Sequence, residues 1–207
     1  MEINDALDTN SWPVEFRQYL QEETSLVQRV SSGKVLDVGC GKGRLIHLIA
    51  DKVESYTGID VNEKVLVEAK KVAEPYSNVD LIKQDARDMV SLFGEKSFET
   101  VLCLFNTIGS MPDSQKVLEQ ISRVSGKKVL ITLAAKGKLN RRIKYYQALG
   151  IEYYVNYETE TITSQVWGDS RAYSFADLEE IAKLLNFKLT EKGIIADLMI
   201  YGIFERY

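Results

Sequence analysis

The stretch Val35-Leu36-Asp37-Val38-Gly39-Cys40-Gly41-Lys42-Gly43-Arg44-Leu45 places glycines at alternate positions directly after an apolar run. A strand that enters a helix through such a turn can bring bare backbone close to a ligand, and it tolerates positive φ. Unpaired N–H groups at the start of the helix favour electron-rich or anionic atoms. About twenty residues further on, Asp60 ends a second apolar run, where a carboxylate can accept two hydrogen bonds from ribose hydroxyls. Together these residues predict a nucleoside-containing cofactor at the C-terminal edge of a parallel sheet. Spacing narrows the choice. Gly39 and Gly41 fit the first two positions of the dinucleotide fingerprint, but its third falls on Arg44, and the third glycine, Gly43, comes one place early. A redox enzyme using NAD is therefore disfavoured, and no G-K-[ST] phosphate loop is present.

Other reactive side chains are few. The single histidine, His47, lies in the apolar run LIHLIA, and the two cysteines, Cys40 and Cys103, have no cysteine neighbour. That supply argues against the common zinc sites and against Ser-His-Asp or Cys-His centres; no metal is expected, and both thiols read as reduced and buried. Lys136, Lys138, Arg141, Arg142 and Lys144 form a basic cluster in a chain of net charge −4. It reads as a solvated helix face, or, with Arg171, as a contact for a carboxylate or phosphate. The overall charge speaks against a nucleic-acid partner. Tyr145, Tyr146, Tyr153, Tyr154, Tyr157 and Tyr173 crowd around Trp167. They could wall a site for a cationic group, or form a satellite core or a dimer interface.

The elements that must hold these residues alternate as strand and helix from about Lys34. Strands are expected at Lys34–Val38, Ser55–Asp60, Val79–Asp85, Phe98–Phe105 (central, because it is apolar almost throughout) and Lys128–Ala134. Helical spacing marks Arg44–Lys52, Glu63–Ala73, a segment with Val117, Leu118, Ile121 and Val124 capped by Asp113 and Ser114, and Lys138–Leu149 closed by Gly150. Ile151–Trp167 alternates like a β-ribbon turning near Glu158–Glu160, and Ser174 with Asp177 forms a capping box for a helix to about Leu185. The short link between Phe187–Ile195 and Leu198–Glu205 predicts an antiparallel hairpin at the sheet edge.

A chain of 207 residues with 45% hydrophobic and 27% charged residues fits one globular α/β domain, residues 1–207, with an N-terminal helical extension or lid over 1–32 and a β-ribbon insert over 151–173. No run reaches the roughly 18 apolar residues of a membrane span. The opening MEINDALDTN has no signal-peptide pattern, so a cytoplasmic protein without a membrane partner is expected.

From about Lys34 onward the chain resembles the class I, Rossmann-like S-adenosylmethionine-dependent methyltransferases. LDVGCGKG is similar to the family's first motif, GIDVN (Gly58–Asn62) to its second and IKQDARDM (Ile82–Met89) to its third. The final hairpin matches the family's seven-stranded, mostly parallel sheet of order 3-2-1-4-5-7-6 with helices on both faces. The resemblance implies S-adenosylmethionine as cofactor and S-adenosylhomocysteine as product. It implies that Asp37 and the Gly39 backbone face the methionine amino group, that Gly41 and Gly43 allow close approach, and that Asp60 takes the ribose with Val61 against the adenine. Asp85 would accept from the adenine amino group, the Ala86 N–H would address a ring nitrogen, and Leu104 and Phe105 would border the methionine moiety. In the loop Phe105-Asn106-Thr107-Ile108-Gly109-Ser110-Met111-Pro112, Asn106 is not directly followed by the two prolines of nucleic-acid amino methyltransferases. The loop leans instead towards the small-molecule enzymes, where Asn106 would orient the acceptor or hold its own loop. The expected acceptor is a small molecule, anionic or amine-bearing, and the protein a monomer or homodimer. The alternatives are an RNA or protein methyltransferase, or a non-catalytic S-adenosylmethionine-binding module.

Overall fold

A computed structural model describes residues 12–207. The first eleven positions of the expected N-terminal extension, with the MEINDALDTN stretch, lie outside the described residues.

Helix α1 (Val14–Val30) buries Phe16, Tyr19, Glu23, Leu26, Val27 and Val30, a single face at helical spacing. The alternating core follows: β1 (Lys34–Val38), α2 (Ile46–Ile49), β2 (Ser55–Asp60), α3 (Glu63–Ala73), β3 (Val79–Lys83), α4 (Met89–Phe93), β4 (Phe98–Cys103), α5 (Thr107–Ser110), α6 (Ser114–Val124), β5 (Ser125–Ala134) and α7 (Leu139–Ala148). Three short strands come next, β6 (Tyr154–Asn156), β7 (Thr161–Ser164) and β8 (Gly168–Ser170), then α8 (Phe175–Leu185) and the hairpin β9 (Lys188–Ile195) and β10 (Met199–Glu205).

Seven strands form one sheet in the order β3-β2-β1-β4-β5-β10-β9. β10 runs antiparallel to both of its neighbours, whereas the other pairings are parallel. With the ribbon strands set aside, this is the order the resemblance implies. β4 occupies the centre, as its apolar run demands. Its side chains alternate between faces: Leu102 joins the core under α1, α2 and α7, and Val101 and Cys103 join the core under α4, α6 and α8.

Four local expectations change. The helix expected over Arg44–Lys52 shrinks to α2 followed by a 3-10 turn at Ala50–Lys52, because Arg44 and Leu45 still belong to the glycine turn. Val79–Asp85 and Phe98–Phe105 end two residues early, where the chain turns towards the site. Asp113 makes no side-chain cap; its backbone is left-handed, at φ 55°. The ribbon has a third strand, β8, which pairs antiparallel with β7. Elsewhere local chemistry holds. Ser174 and Asp177 form the reciprocal capping box of α8. Gly150 takes positive φ after α7.

Candidate active site

At the C-terminal ends of β1, β2 and β4 a cavity of 640 Å³ runs from the glycine turn to the ribbon. At one end are Asp37, Gly39, Gly41, Asp60 and Val61; at the other are Trp12, Phe16, Tyr145, Tyr146 and Trp167.

The glycine turn is shaped by closure on its own protein. The N–H groups of Gly39 and Cys40 both donate to the Ile59 carbonyl (2.9 and 3.0 Å), and that of Gly43 donates to the Cys40 carbonyl (3.0 Å). The Gly41 N–H donates to Asp60 Oδ2 at 3.1 Å. The expectation of unpaired N–H groups waiting for an anion is thus corrected at these positions. What the turn offers is room. A Cβ on Gly41, at φ +54°, would meet nothing within 4 Å, so the backbone lies bare on the cavity wall. Gly43 serves packing instead: a Cβ there would stand 2.6 Å from Ile46 Cδ1 and 3.2 Å from Ala69 Cβ. It does not line the cavity.

Two carboxylates mark this end. Asp60 accepts from the Asn62 N–H at 2.8 Å as well as from Gly41, and it reaches the cavity beside an exposed Val61. Asp37 is buried at the end of β1 and accepts from the Tyr56 hydroxyl at 2.6 Å. Burial pushes its carboxyl up to about 6, against the opposing pull of the Tyr56 hydrogen bond and the Arg44 charge.

The third-motif residues separate. Gln84 and Ala86 line the cavity, but Asp85 does not. Its carboxylate accepts from the Arg87 N–H at 2.8 Å and from the Arg87 guanidinium at 2.6–3.1 Å, which holds it down to about 2. Leu104 and Phe105 line the cavity; Phe105 sits at φ 53° and donates its N–H to Thr132 Oγ1 at 2.7 Å. Asn106, also left-handed and buried, spends its amide on the protein. Its Nδ2 donates to Ser170 Oγ and the Arg171 carbonyl (both 3.1 Å), while its Oδ1 accepts from the Ala134 N–H at 3.0 Å. These partners match the loop-holding alternative: Asn106 ties α5 and β5 to the ribbon.

Several site residues escape motif reading. Glu23 of α1 is fully buried and forms an ion pair with Arg44 of the glycine turn. It also accepts from the Tyr19 hydroxyl, and from Thr132 Oγ1 at 2.9 Å. In the sequence this wall shows only as the helical extension or lid expected over 1–32, without naming the residues that face the site. Across it, the Tyr145 ring is sandwiched between two nearly parallel partners, Phe16 at 4.1 Å and Trp167 at 5.7 Å between centroids. The tyrosines therefore divide. Tyr145 and Tyr146 line the cavity, whereas Tyr154 and Tyr157 are exposed.

The basic cluster divides too. Lys136 pairs with Asp177 (3.7 Å), Lys138 with Asp197, and Arg141 with Asp197 (2.9 Å) and Glu15 (3.7 Å). Arg142 turns inward, buried, onto the cavity wall. His47 is exposed beside Tyr76, and both cysteines are free and buried.

The arrangement suits an adenosyl sulfonium with an amino acid tail. It sets two carboxylate acceptors, Asp60 and Asp37, around bare backbone and the apolar Ile59, Val61 and Ala86. Comparison with known proteins agrees. Residues 29–168 match the family model described as a methyltransferase domain. A Geobacillus sp. (strain WCH70) protein named as a candidate methyltransferase is 26% identical over 110 residues, which are 53% of this chain and 43% of that protein. The match thus spans less than half the length of that curated relative. The PH0226 protein of Pyrococcus horikoshii OT3 superposes with a TM-score of 0.74 at 22% identity, covering 100% of this chain and 99% of that one. The magnesium protoporphyrin IX methyltransferase of Synechocystis PCC 6803 with bound S-adenosylmethionine superposes at 0.66 and 18% identity, covering 93% and 82%. These two likenesses show the fold. With a methyltransferase-domain model matched over more than half of its length, the chain belongs to the class I S-adenosylmethionine-dependent methyltransferase family.

Proposed function

We propose that this protein transfers a methyl group from S-adenosylmethionine to a small-molecule acceptor bound against Trp12, Phe16, Tyr145 and Trp167. One observation carries the reading: the carboxylate-marked end and the aromatic end belong to a single continuous cavity. Asp60 would hold the ribose hydroxyls, Asp37 the methionine ammonium, and Val61 and Ala86 the adenine. Leu104 and Phe105 would border the methionine chain near the junction of the two halves. When bound, the cofactor supplies a sulfonium-activated methyl group open to in-line attack.

The protein's own task is then mainly placement. Alignment of a nucleophile near 3 Å from its target can lower a barrier by several kcal/mol. Asn106 acts here as a positioning residue, since its amide fixes the Phe105 turn against β5 and the ribbon. The aromatic walls keep water out as charge is neutralised. Among the described residues, the carboxylates lining the cavity are Asp37 and Asp60, both at the cofactor end. The aromatic end supplies tyrosine hydroxyls, and burial raises the pKa of both Tyr145 and Tyr146. A neutral amine, or an oxygen or sulfur that is already ionised, fits this wall better than an alcohol that needs a base.

The pairing of Lys136, Lys138 and Arg141 with Asp177, Asp197 and Glu15 weakens an RNA-contact reading of the basic cluster. Titration calorimetry with S-adenosylmethionine tests the cofactor half. Saturable heat is expected, and a folded sample giving none would overturn the proposal. Release of S-adenosylhomocysteine with a panel of small acceptors tests turnover and separates an enzyme from a binding module.

A further inference from the structure

Arg142 is 3% exposed and lies on the wall of the aromatic half of the cavity. Its partners are neutral. It donates to the Glu160 carbonyl at 2.7 Å, to the Ser170 carbonyl, and to Ser170 Oγ at 2.9 Å. The side chain of Glu160 is occupied elsewhere, accepting from the Gly137 N–H at 2.8 and 2.9 Å. Arg44, the other arginine on the cavity wall, has Glu23 as its counter-ion. Arg142 has no carboxylate of the described residues within ion-pair distance. Burial lowers its pKa from the ordinary arginine value, yet a guanidinium keeps its charge. The Glu160 carboxylate acts on it only through a longer-range Coulombic attraction, and a buried cation with no acid in ion-pair contact is stabilised when an anion docks beside it. The acids lining the cavity, Asp37 and Asp60, thus stand at the cofactor end together with Lys42 and Arg44, whereas Arg142 stands among the rings with no carboxylate of the described residues in ion-pair distance.

We propose that the acceptor is a flat, largely apolar molecule bearing a carboxylate, its ring seated among the aromatic side chains at this end of the cavity and its carboxylate directed to Arg142. This rests on the methyltransferase reading and goes beyond it by assigning the acceptor's charge. A cationic amine in the same aromatic chamber would meet Arg142 as a like charge.

The test is a matched series of 2-naphthoate, 2-naphthamide and 2-naphthylmethylamine, titrated calorimetrically into the full chain saturated with S-adenosylhomocysteine. The carboxylate is expected to bind about tenfold or more tighter than the amide, and the ammonium most weakly, as a charge-assisted bond would give. Arg142→Gln should abolish the preference while leaving S-adenosylhomocysteine affinity within about twofold, and Arg142→Lys should restore part of it. Equal binding of carboxylate and amide by the unaltered protein overturns the proposal, as does failure of all three probes to bind. So does a preference that survives in Arg142→Gln. If Arg142→Gln does not fold, the ranking on the unaltered protein decides. Failure of S-adenosylhomocysteine itself to bind would count against the methyltransferase reading, not against the acceptor's charge.

Discussion

The two ends of the cavity are built by different means. The cofactor end comes from three short runs, 37–45, 58–62 and 84–86, each at the C-terminal end of a strand of the parallel sheet or just beyond it. Its shape is fixed by main-chain hydrogen bonds such as Gly39 and Cys40 to Ile59. The aromatic end comes from segments far apart in the chain: Trp12 and Phe16 at the start of α1, Phe105 after β4, Tyr145 on α7 and Trp167 in the ribbon. A site made of turns keeps its geometry wherever the strands pair. A site made of side-chain faces can change its chemistry with single substitutions, which suits a shared cofactor and a variable acceptor.

The sharpest way to break that contrast is at the one place where the ends are wired together. Glu23 on α1 gathers Arg44 from the glycine turn, Tyr19 from its own helix and Thr132 from near the C-terminal end of β5. Thr132 in turn accepts from the Phe105 N–H at 2.7 Å. Losing a buried acceptor typically costs about 1–3 kcal/mol for the donors left unsatisfied, here the Tyr19 and Thr132 hydroxyls, while Arg44, its side chain 32% exposed, loses its counter-ion to partial solvation. Glu23→Ala should lower unfolding stability by about that amount in urea titrations, and it should also weaken S-adenosylmethionine binding, although α1 belongs to the aromatic wall. A loss below about 1 kcal/mol, near the exposed-pair range, with cofactor affinity intact, would mean that the two ends are independent.

Much of this division was legible in the chain itself. A parallel sheet ending in an antiparallel hairpin followed from strand–helix alternation and a two-segment ending too short for a crossover; the strand order came only with the family resemblance. The glycine turn announced itself because its function needs consecutive residues. What stayed hidden depends on contact across the fold. Nothing local to Arg44 says that Glu23 will reach it, and no motif tells whether the Asn106 amide faces a ligand or, as found, Ser170, Arg171 and Ala134. β8 was missed because Gly168-Asp169-Ser170 has neither branched nor aromatic residues to mark a strand; pairing with β7 makes it one.

The next effect in size lies within the cofactor end. Asp60→Ala removes the acceptor proposed for the ribose and also the partner of the Gly41 and Asn62 N–H groups. Hydrogen bonds to a charged group contribute about 1.5–3 kcal/mol, so affinity for S-adenosylmethionine should fall by about tenfold or more in calorimetry. Unchanged affinity would leave Asp60 as a turn clamp only.

A smaller, pH-dependent effect belongs to Asp37. Its carboxyl is raised from 3.8 to about 6, chiefly by burial. Between these values the folded protein keeps a proton that the unfolded chain has released. The associated stability is therefore fully present below 3.8 and is lost as pH rises through about 6. Cofactor binding should respond in the opposite sense. If the ionised Asp37 holds the methionine ammonium, affinity should rise about tenfold from about pH 5 to about pH 7 and then level, following the ionised fraction. Asp37→Asn should flatten the profile; a profile that stays steep in that variant would place the titrating group elsewhere.

The smallest effect is expected where motif and structure part company. By resemblance Asp85 would accept from the adenine amino group. In the fold its carboxylate caps the turn at Ala86–Asp88 and is gripped by Arg87 through both oxygens, off the cavity wall that Gln84 and Ala86 occupy. A carboxylate so engaged has little left for a neutral amino group, and releasing it would break an ion pair at 2.6 Å. Asp85→Asn should therefore weaken S-adenosylmethionine binding by less than about threefold, the low end for a single neutral hydrogen bond. The same substitution should shift S-adenosylmethionine and S-adenosylhomocysteine affinities alike, since adenine is common to both. A loss comparable to that of Asp60→Ala would mean that the ion pair opens on binding and that Asp85 swings to the adenine. In that case the cofactor end would also be set by side chains that move, and its contrast with the aromatic end would narrow.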